Sequence, residues 1–323
     1  MKSKTCFWCD AVVFSLCVIF AMMAGGAIGE LGKEKAFRQS CARNLSTMGK
    51  AMSLYANDYQ YEFPKAGGVT NTWVPTIPDW RAANRSSAFA ITRARKGQTI
   101  TFEGQITATS SLYMLVKYTE VATKQFVCPS EPDTREFTLR DVREQLPVGY
   151  ELIDAWDFGG RYDSRNNPSK HCSYAYHMPF DRSSLTAAGD PGMAVAADRN
   201  PWMDPNQVQH ATQGWASFTA KAFDRAEPAA IRLGNSDAHQ REGQNVLFLD
   251  KHVRFETRAT CGVGRDDIYT IAPGESDPAG ERRLAPRVYD AGRPAHRTDS
   301  VLVQEVAFDV REPAVKEKPK AGN

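Results

Sequence analysis

The sequence predicts an α+β protein in which a long N-terminal helix, anchored in a membrane, packs on a mainly antiparallel β-sheet head with long loop insertions. Three observations predict it. An uncharged apolar run at residues 11–28 passes without a turn signal into a charged, periodic stretch that ends near Tyr55. Beyond it come short runs of strand-forming residues, separated by segments rich in Pro, Gly and Asn, which is the pattern of strands joined by turns. Two of these runs, QNVLFLD and HVRFET, stand on either side of Asp250 and Lys251 and predict a tight antiparallel hairpin.

The run AVVFSLCVIFAMMAGGAI is closed by Asp10 and Glu30. At ~1.5 Å per helical residue it covers ~27 Å, close to the hydrocarbon thickness of a bilayer. A cleaved secretory signal competes with a span, since Lys2 and Lys4 give a basic start and AGGAIG supplies small residues for a cut. A buried core helix is disfavoured because no polar face interrupts the run. The stretch after the run favours a retained anchor: Phe37, Cys41, Leu45, Met48, Met52 and Tyr55 recur at spacings of three and four, with Lys33, Lys35, Arg38, Arg43 and Lys50 mostly between them. The chain therefore divides into a short basic leader or cytoplasmic segment (1–10), a transmembrane helix (11–29), its amphipathic continuation (30–60), a head (61–272) and a polar, partly disordered tail (273–323).

In the head, residues 65–87 read as loop. ITFEGQI is the best early strand, and Ser110 is expected to cap a short helix carrying Leu112, Leu115 and Val116. KQFVCPSEPD reads as a strand stopped by prolines; its Cys128 is structural, since nothing nearby in sequence supplies a base for a nucleophile. Residues 131–170 read as surface excursions. SYAYHMPF alternates like a strand, and MAVAADRNPW reads as a buried strand ending in a polar turn, with Asp198 capping that turn in preference to ligating a metal. Residues 201–228 form another loop-rich insertion, and VLVQEVAFDV adds a late strand.

The 323 residues suffice to bury a real core, and a formal charge of +2 with interspersed signs leaves no basic stripe for nucleic acid. Cys6, Cys9 and Cys17 lie before or inside the apolar run. Cys41, Cys128, Cys172 and Cys261 lie beyond it, where an oxidising compartment allows two disulfides in any of three pairings. Cys6 and Cys9 form a CxxC without the second pair that zinc needs. No Gly-rich phosphate loop, HExxH or GxSxG occurs, so no enzyme signature stands.

The segment CARNLSTMGKAMSLYANDYQYEFP at 41–64, with Cys41, Asn44, Leu45 and Tyr55, resembles the segment after the hydrophobic helix in bacterial prepilin-type, pseudopilin-like proteins of type II secretion and type IV pilus systems. The likeness extends to Phe126, Cys128, Pro129 and Ser130, to the DRNP turn that Asp198 begins, to His239 followed about ten residues on by Asp250, Lys251, His252 and Val253, and to VGRDDIYT. The family's signature there is a histidine and then Asp-Gly-His-Val. The resemblance covers the first 64 residues and the elements within 126–270. It implies a pilin-like fold, a structural role in the inner membrane with the head on the periplasmic side, and membrane lipid, other pilin-like subunits or secretion-system components as partners. It sets Asp10 where the family has its helix-entry glutamate, which compensates a neighbouring subunit's terminal amine. Thr5, Cys6 and Lys251 depart from it, replacing the leader glycine, the methylated phenylalanine and the turn glycine.

His239, Asp250 and His252 are the candidate metal ligands, although a hydrogen bond between imidazole and turn carboxylate accounts for the last two without an ion. Some pseudopilins of the G type hold calcium in a C-terminal loop, and Asp266 with Asp267 is the oxygen-rich candidate here, lacking the carboxylate spacing of a dedicated loop. The expectation is no cofactor, with calcium or another divalent ion as the alternative. The second functional reading is an anchored or secreted binding module whose loops present Trp73, Trp80, Trp156, Trp202 and Trp215. An enzyme, the third, requires His239, His252 and an acid to converge.

Overall fold

Helix α1, Phe7–Asp58, is 52 residues long, and the rest of the fold is laid on its C-terminal half. The computed structural model describes residues 7–67, 71–95, 98–131, 133–142, 146–160, 167–180, 185–203, 228–272 and 293–305; within α1 the side chains are described from Glu30 on, Leu31 excepted. Cys41, Leu45, Met48, Met52 and Tyr55 are all buried, one stripe at the helical repeat, as the spacing predicts.

The short strand β1 (Thr72–Trp73), the one-turn helix α2 (Arg85–Ala88), the hairpin of β2 (Ala90–Arg95) and β3 (Gln98–Glu103), and β4 (Gln105–Ile106) lead into helix α3, Ala108–Thr119. β1 and β4 pair in parallel. The main sheet has five antiparallel strands: β5 (Tyr174–His177), β6 (Ala194–Asp198), β7 (Gln244–Phe248), β8 (Val253–Glu256) and β9 (Leu302–Val303), in the order β8-β7-β6-β5-β9. Helix α4, Pro228–Gly234, precedes β7. The expected hairpin is β7 and β8, and the expected late strand is β9.

Both faces of this sheet are covered. Tyr174, Tyr176, Val195, Ala196, Leu247 and Val303 join the stripe of α1 in the main core, whereas Ala175, Ala197, Val246, Phe248 and Leu302 pack with Ile268 and Tyr269 in a second cluster. Strand β6 is wholly buried, which explains its run of small apolar residues without alternation. A register shift between Ala194 and Ala196 turns Val195 and Ala196 to the same side, as a bulge does. α1 crosses β7 at Gly49, where a Cβ would come within 2.7 Å of a Leu247 methyl carbon.

Three local expectations are corrected. Thr107 caps α3, and Ser110 is its reciprocal partner inside the first turn, accepting from the Thr107 amide while its own amide donates to the Thr107 hydroxyl. Residues Thr123–Phe126 form a 3-10 turn rather than a strand. The backbone after it is satisfied outside any ladder: Asn44 Nδ2 donates to Val127 O, and Cys128 N donates to Ser173 Oγ. The 131–170 region also enters the core, because Phe137 and Phe158 pack on Tyr113, with 4.7 Å between the Tyr113 and Phe158 ring centres, and Trp156 packs on Phe89.

The single-pass inner-membrane placement, with a transmembrane signal-anchor at 11–29 and the head on the periplasmic side, is corrected as well. Among the described residues no helix is long and apolar enough to cross a membrane. A span needs ~20 consecutive apolar residues, and the part of α1 with described side chains carries Glu30, Lys33, Glu34, Lys35 and Arg38 within its first turns. The apolar run on which the expectation rested, and the side chain of Asp10, lie outside the described side chains.

The N-terminus of α3 holds two buried carboxylates. Glu305 accepts from the amides of Ala108 (2.6 Å) and Thr109 (2.9 Å), and the Thr107 hydroxyl donates to Asp157 at 2.7 Å. Burial, reinforced by the charge of Glu305, pushes the Asp157 carboxyl up to about 8. A carboxyl whose pKa is raised on folding stabilises the fold below its unfolded value and loses that contribution as pH rises through the folded one. The melting temperature is therefore expected to fall between about pH 4 and pH 8, and Asp157→Asn to flatten this slope and raise stability at pH 8. Thermal unfolding of both proteins across that range checks it.

Candidate functional site

Under the charged start of the α1 stripe, four separate parts of the chain meet in one buried cluster. α1 brings Glu34 and Cys41, the segment after the 3-10 turn brings Cys128 and Ser130, β6 ends in Asp198, and the turn before β7 brings His239. Period-two alternation carries Asp198 from Ala196, and Asn245 from Leu247, to the face that α1 covers. Cys41 and Cys128, 87 residues apart, form a disulfide, while Cys172 and Cys261 are free thiols. One bridge thus resolves the pairing among these four cysteines.

His239 is forced inward by an unusual backbone. His239, Gln240 and Arg241 each have φ of 59°, a left-handed turn that costs L-residues about 1–2 kcal/mol apiece. The turn is held by the Glu242 amide donating to His239 O, by Asn235 Nδ2 donating to Arg241 O and by the Arg241–Asp237 ion pair. Gly243 comes next because any Cβ there would meet Glu256 O at 2.2 Å.

The imidazole is fully buried. Its Nδ1 lies 2.6 Å from Glu34 Oε1, and its Nε2 lies 3.3 Å from Asp198 Oδ2, 3.2 Å from Asn245 Nδ2 and 3.7 Å from Cys128 Sγ. The His239 amide donates to Ser130 Oγ, which donates to Glu34 Oε2; the Asn245 amide donates to Asp198 Oδ2 at 2.7 Å. Burial alone would lower the pKa of His239, but the hydrogen bonds and charges of Asp198 and then Glu34 outweigh it and the pKa is raised. The imidazole is held between two carboxylates that come from different elements.

A small cleft of about 190 Å³ lies beside it, lined by Ser130, Glu131, Asp133, Arg199, Asp237 and Ala238 among others. Burial pushes the Glu131 carboxyl up to about 7 against the opposing charge of Arg199, 3.4 Å away. Arg199 also donates to the carbonyls of Ser169 and Cys172. At the outer edge Arg38 pairs with Glu242 and stacks over Phe255.

Of the residues singled out in the sequence, Cys41, Asn44, Cys128, Asp198 and His239 come together here, Asn44 by donating to Tyr174 Oη as well as to Val127 O. Leu45 and Tyr55 are core. Asp198 does not cap its own turn, since Asn200 does so by accepting from the Trp202 amide; Asp198 accepts across the sheet from β7. Asp250 and His252 sit at the exposed hairpin tip as a pair of their own, 2.5 Å apart, and Lys251 takes the turn's positive φ of 77°. Among the described residues the metal-ligating atoms gathered within 4.8 Å belong to Cys41, Cys128, Asp198 and His239, so the candidate grouping of His239 with Asp250 and His252 is not formed, while the hydrogen bond preferred for Asp250 and His252 is. Asp266 and Asp267 are buried and accept from the amides of Ser300 and Tyr269. Trp73, Trp80, Trp156 and Trp202 are each at most 7% exposed, so none is presented by a loop; Trp215 lies outside the described residues. Glu34, Ser130, Glu131, Arg199 and Asn245 were not foreseen. Glu34 was legible, because it stands two helical turns before Cys41 on the same stripe.

Comparison of the chain with protein-family models, with curated proteins and with solved structures finds no match.

Replacing Cys41 and Cys128 together by alanine is expected to lower stability by ~2–5 kcal/mol. His239→Gln, which leaves the buried carboxylates of Glu34 and Asp198 without the imidazole between them, is expected to cost ~3–5 kcal/mol. Urea unfolding of the full chain measures both.

Proposed function

We propose that this chain is a pilin-like structural subunit, of the kind found in type II secretion and type IV pilus systems, whose partners are other such subunits or components of the same system. The observation that carries the reading is the division of labour along α1. The head is assembled on Cys41, Leu45, Met48, Met52 and Tyr55, and the described side chains of α1 that are buried begin at Glu34, while the helix itself starts at Phe7. The reading assigns the part of the helix before Glu34 to contacts with neighbouring subunits. The disulfide and the His239 cluster fasten α1 to the rest of the head at the upstream end of its described buried stripe, where a pull along the helix would be resisted. The resemblance at 41–64 and at His239, Asp250 and His252 points the same way. With the described tryptophans buried, no observation favours the binding-module alternative.

The test is photo-crosslinking in cells that express the full chain, with benzoyl-phenylalanine placed at Lys35 or Gln39 on the exposed side of α1 and at Lys124 on the head as a control. Adducts to further copies or to other helix-headed subunits from α1, and few from Lys124, are expected. Absence of such adducts at both α1 positions, or equal yield from Lys124, would refute assembly through the helix.

A further inference from the structure

We propose that Cys41, Cys128, Asp198 and His239 form a zinc(II) site in the reduced protein, so that the same four side chains hold either a disulfide or a metal ion. The donor set is two thiolates, one imidazole and one carboxylate, which is a set that suits zinc. Two of its edges match those of a zinc tetrahedron. With zinc bonds of ~2.3 Å to sulfur and ~2.0–2.2 Å to nitrogen and oxygen, the edges come to ~3.3 Å for N···O and ~3.6 Å for S···N. The structure has 3.3 Å between His239 Nε2 and Asp198 Oδ2 and 3.7 Å between Nε2 and Cys128 Sγ, with one donor atom of each residue inside 4.8 Å. The edge that is too short is the S–S bond, which reduction opens.

Three further features fit a metal centre. Glu34 holds Nδ1 at 2.6 Å and leaves Nε2 facing the cluster, the carboxylate–histidine arrangement that orients imidazole ligands on zinc. Asp198 is fully buried, and its Oδ1 has no hydrogen-bond partner, an arrangement that is costly for a carboxylate unless a cation completes it. In the oxidised form the Asn245 Nδ2 group, 3.2 Å from Nε2 and 3.3 Å from Oδ2, places its hydrogens where the ion would sit, so metal binding displaces this amide. The cleft lined by Ser130, Arg199 and Ala238 lies next to the segments that bear Cys128, Asp198 and His239.

Interconversion balances with a dithiol as the reductant. One reductant thiolate attacks a sulfur of the bridge, the second resolves the mixed disulfide, and the reductant departs as its own disulfide. Cys41 and Cys128 thereby gain two electrons and two protons. Zinc then displaces both thiol protons, and the proton of Nε2 when that nitrogen carries one, to solvent, and binds the two thiolates, Nε2 and the Asp198 carboxylate, while Nδ1 keeps its hydrogen bond to Glu34.

The test uses the full chain with Cys6, Cys9, Cys17, Cys172 and Cys261 replaced by serine, so that only the proposed sulfur ligands remain. Reduced with dithiothreitol and desalted without oxygen, it is titrated with cobalt(II) and then zinc(II). The expected result is about one cobalt per chain, with the d–d bands of a four-coordinate site and a sulfur-to-cobalt charge-transfer band, both abolished by zinc. The oxidised chain should show neither. Asp198→Asn should change the d–d envelope, and Glu34→Gln should weaken binding ~10- to 100-fold as a positioning residue acting through His239. No more cobalt uptake by the reduced than by the oxidised chain would overturn the proposal without reliance on any variant. So would an unchanged spectrum in both Asp198→Asn and His239→Gln, with folding of each verified by circular dichroism.

Discussion

One helix face must be buried along its length by a sheet that comes from a distant part of the chain. The stripe from Cys41 to Tyr55 has no partner within α1, and the strands that cover it begin more than a hundred residues later. Nearly everything else in the head serves that contact. β6 is made of small residues because it is covered on both sides, Gly49 is small because the helix rests on Leu247, and α3 closes the remaining flank with Leu112, Tyr113 and Leu115. Burial of this kind is non-directional. It brings the helix to the sheet without fixing where along the helix the contact stops.

The fixed point is supplied by directional chemistry at the end of the stripe. The disulfide ties α1 to the segment after the 3-10 turn, and two helical turns upstream the Glu34–His239–Asp198 chain ties α1 to the turn before β7 and to the end of β6. Desolvating two carboxylates and an imidazole is expensive, and the arrangement holds because every charge has an opposite neighbour and most polar atoms are hydrogen-bonded. The left-handed turn at His239, Gln240 and Arg241 stores strain at the same place. Strain, buried charge and a sulfur bridge converging on one point mark it as the part of the molecule under the strictest geometric demand.

Where periodicity was strong, the sequence was informative. The α1 stripe and β5 follow from spacings of 3.6 and 2, β6 from a short apolar run closed by a polar turn, and the β7–β8 hairpin from strand-forming residues on either side of a turn. Capping was less legible. Ser110 is a reasonable cap by residue type, yet Thr107 takes the role because Glu305, 197 residues away, fills the remaining amides of the first turn. The aromatic residues of 131–170 were invisible because their partners are scattered and no period marks them.

The sequence by itself determined that a long helix leads into an antiparallel head, that Cys41, Cys128, Asp198 and His239 are worth attention, and that Asp250 and His252 sit together on a turn. Those properties are local: they depend on side-chain period and on residues a few positions apart. Only the tertiary structure decided that Cys41 pairs with Cys128, that His239 turns away from the hairpin to meet Glu34 and Asp198, and that Asp198 serves the sheet rather than its own turn. Contacts across 47 to 205 residues and the meeting of His239 with Asp198 are set by how layers stack, and no spacing along the chain encodes which buried charges will face one another when they do.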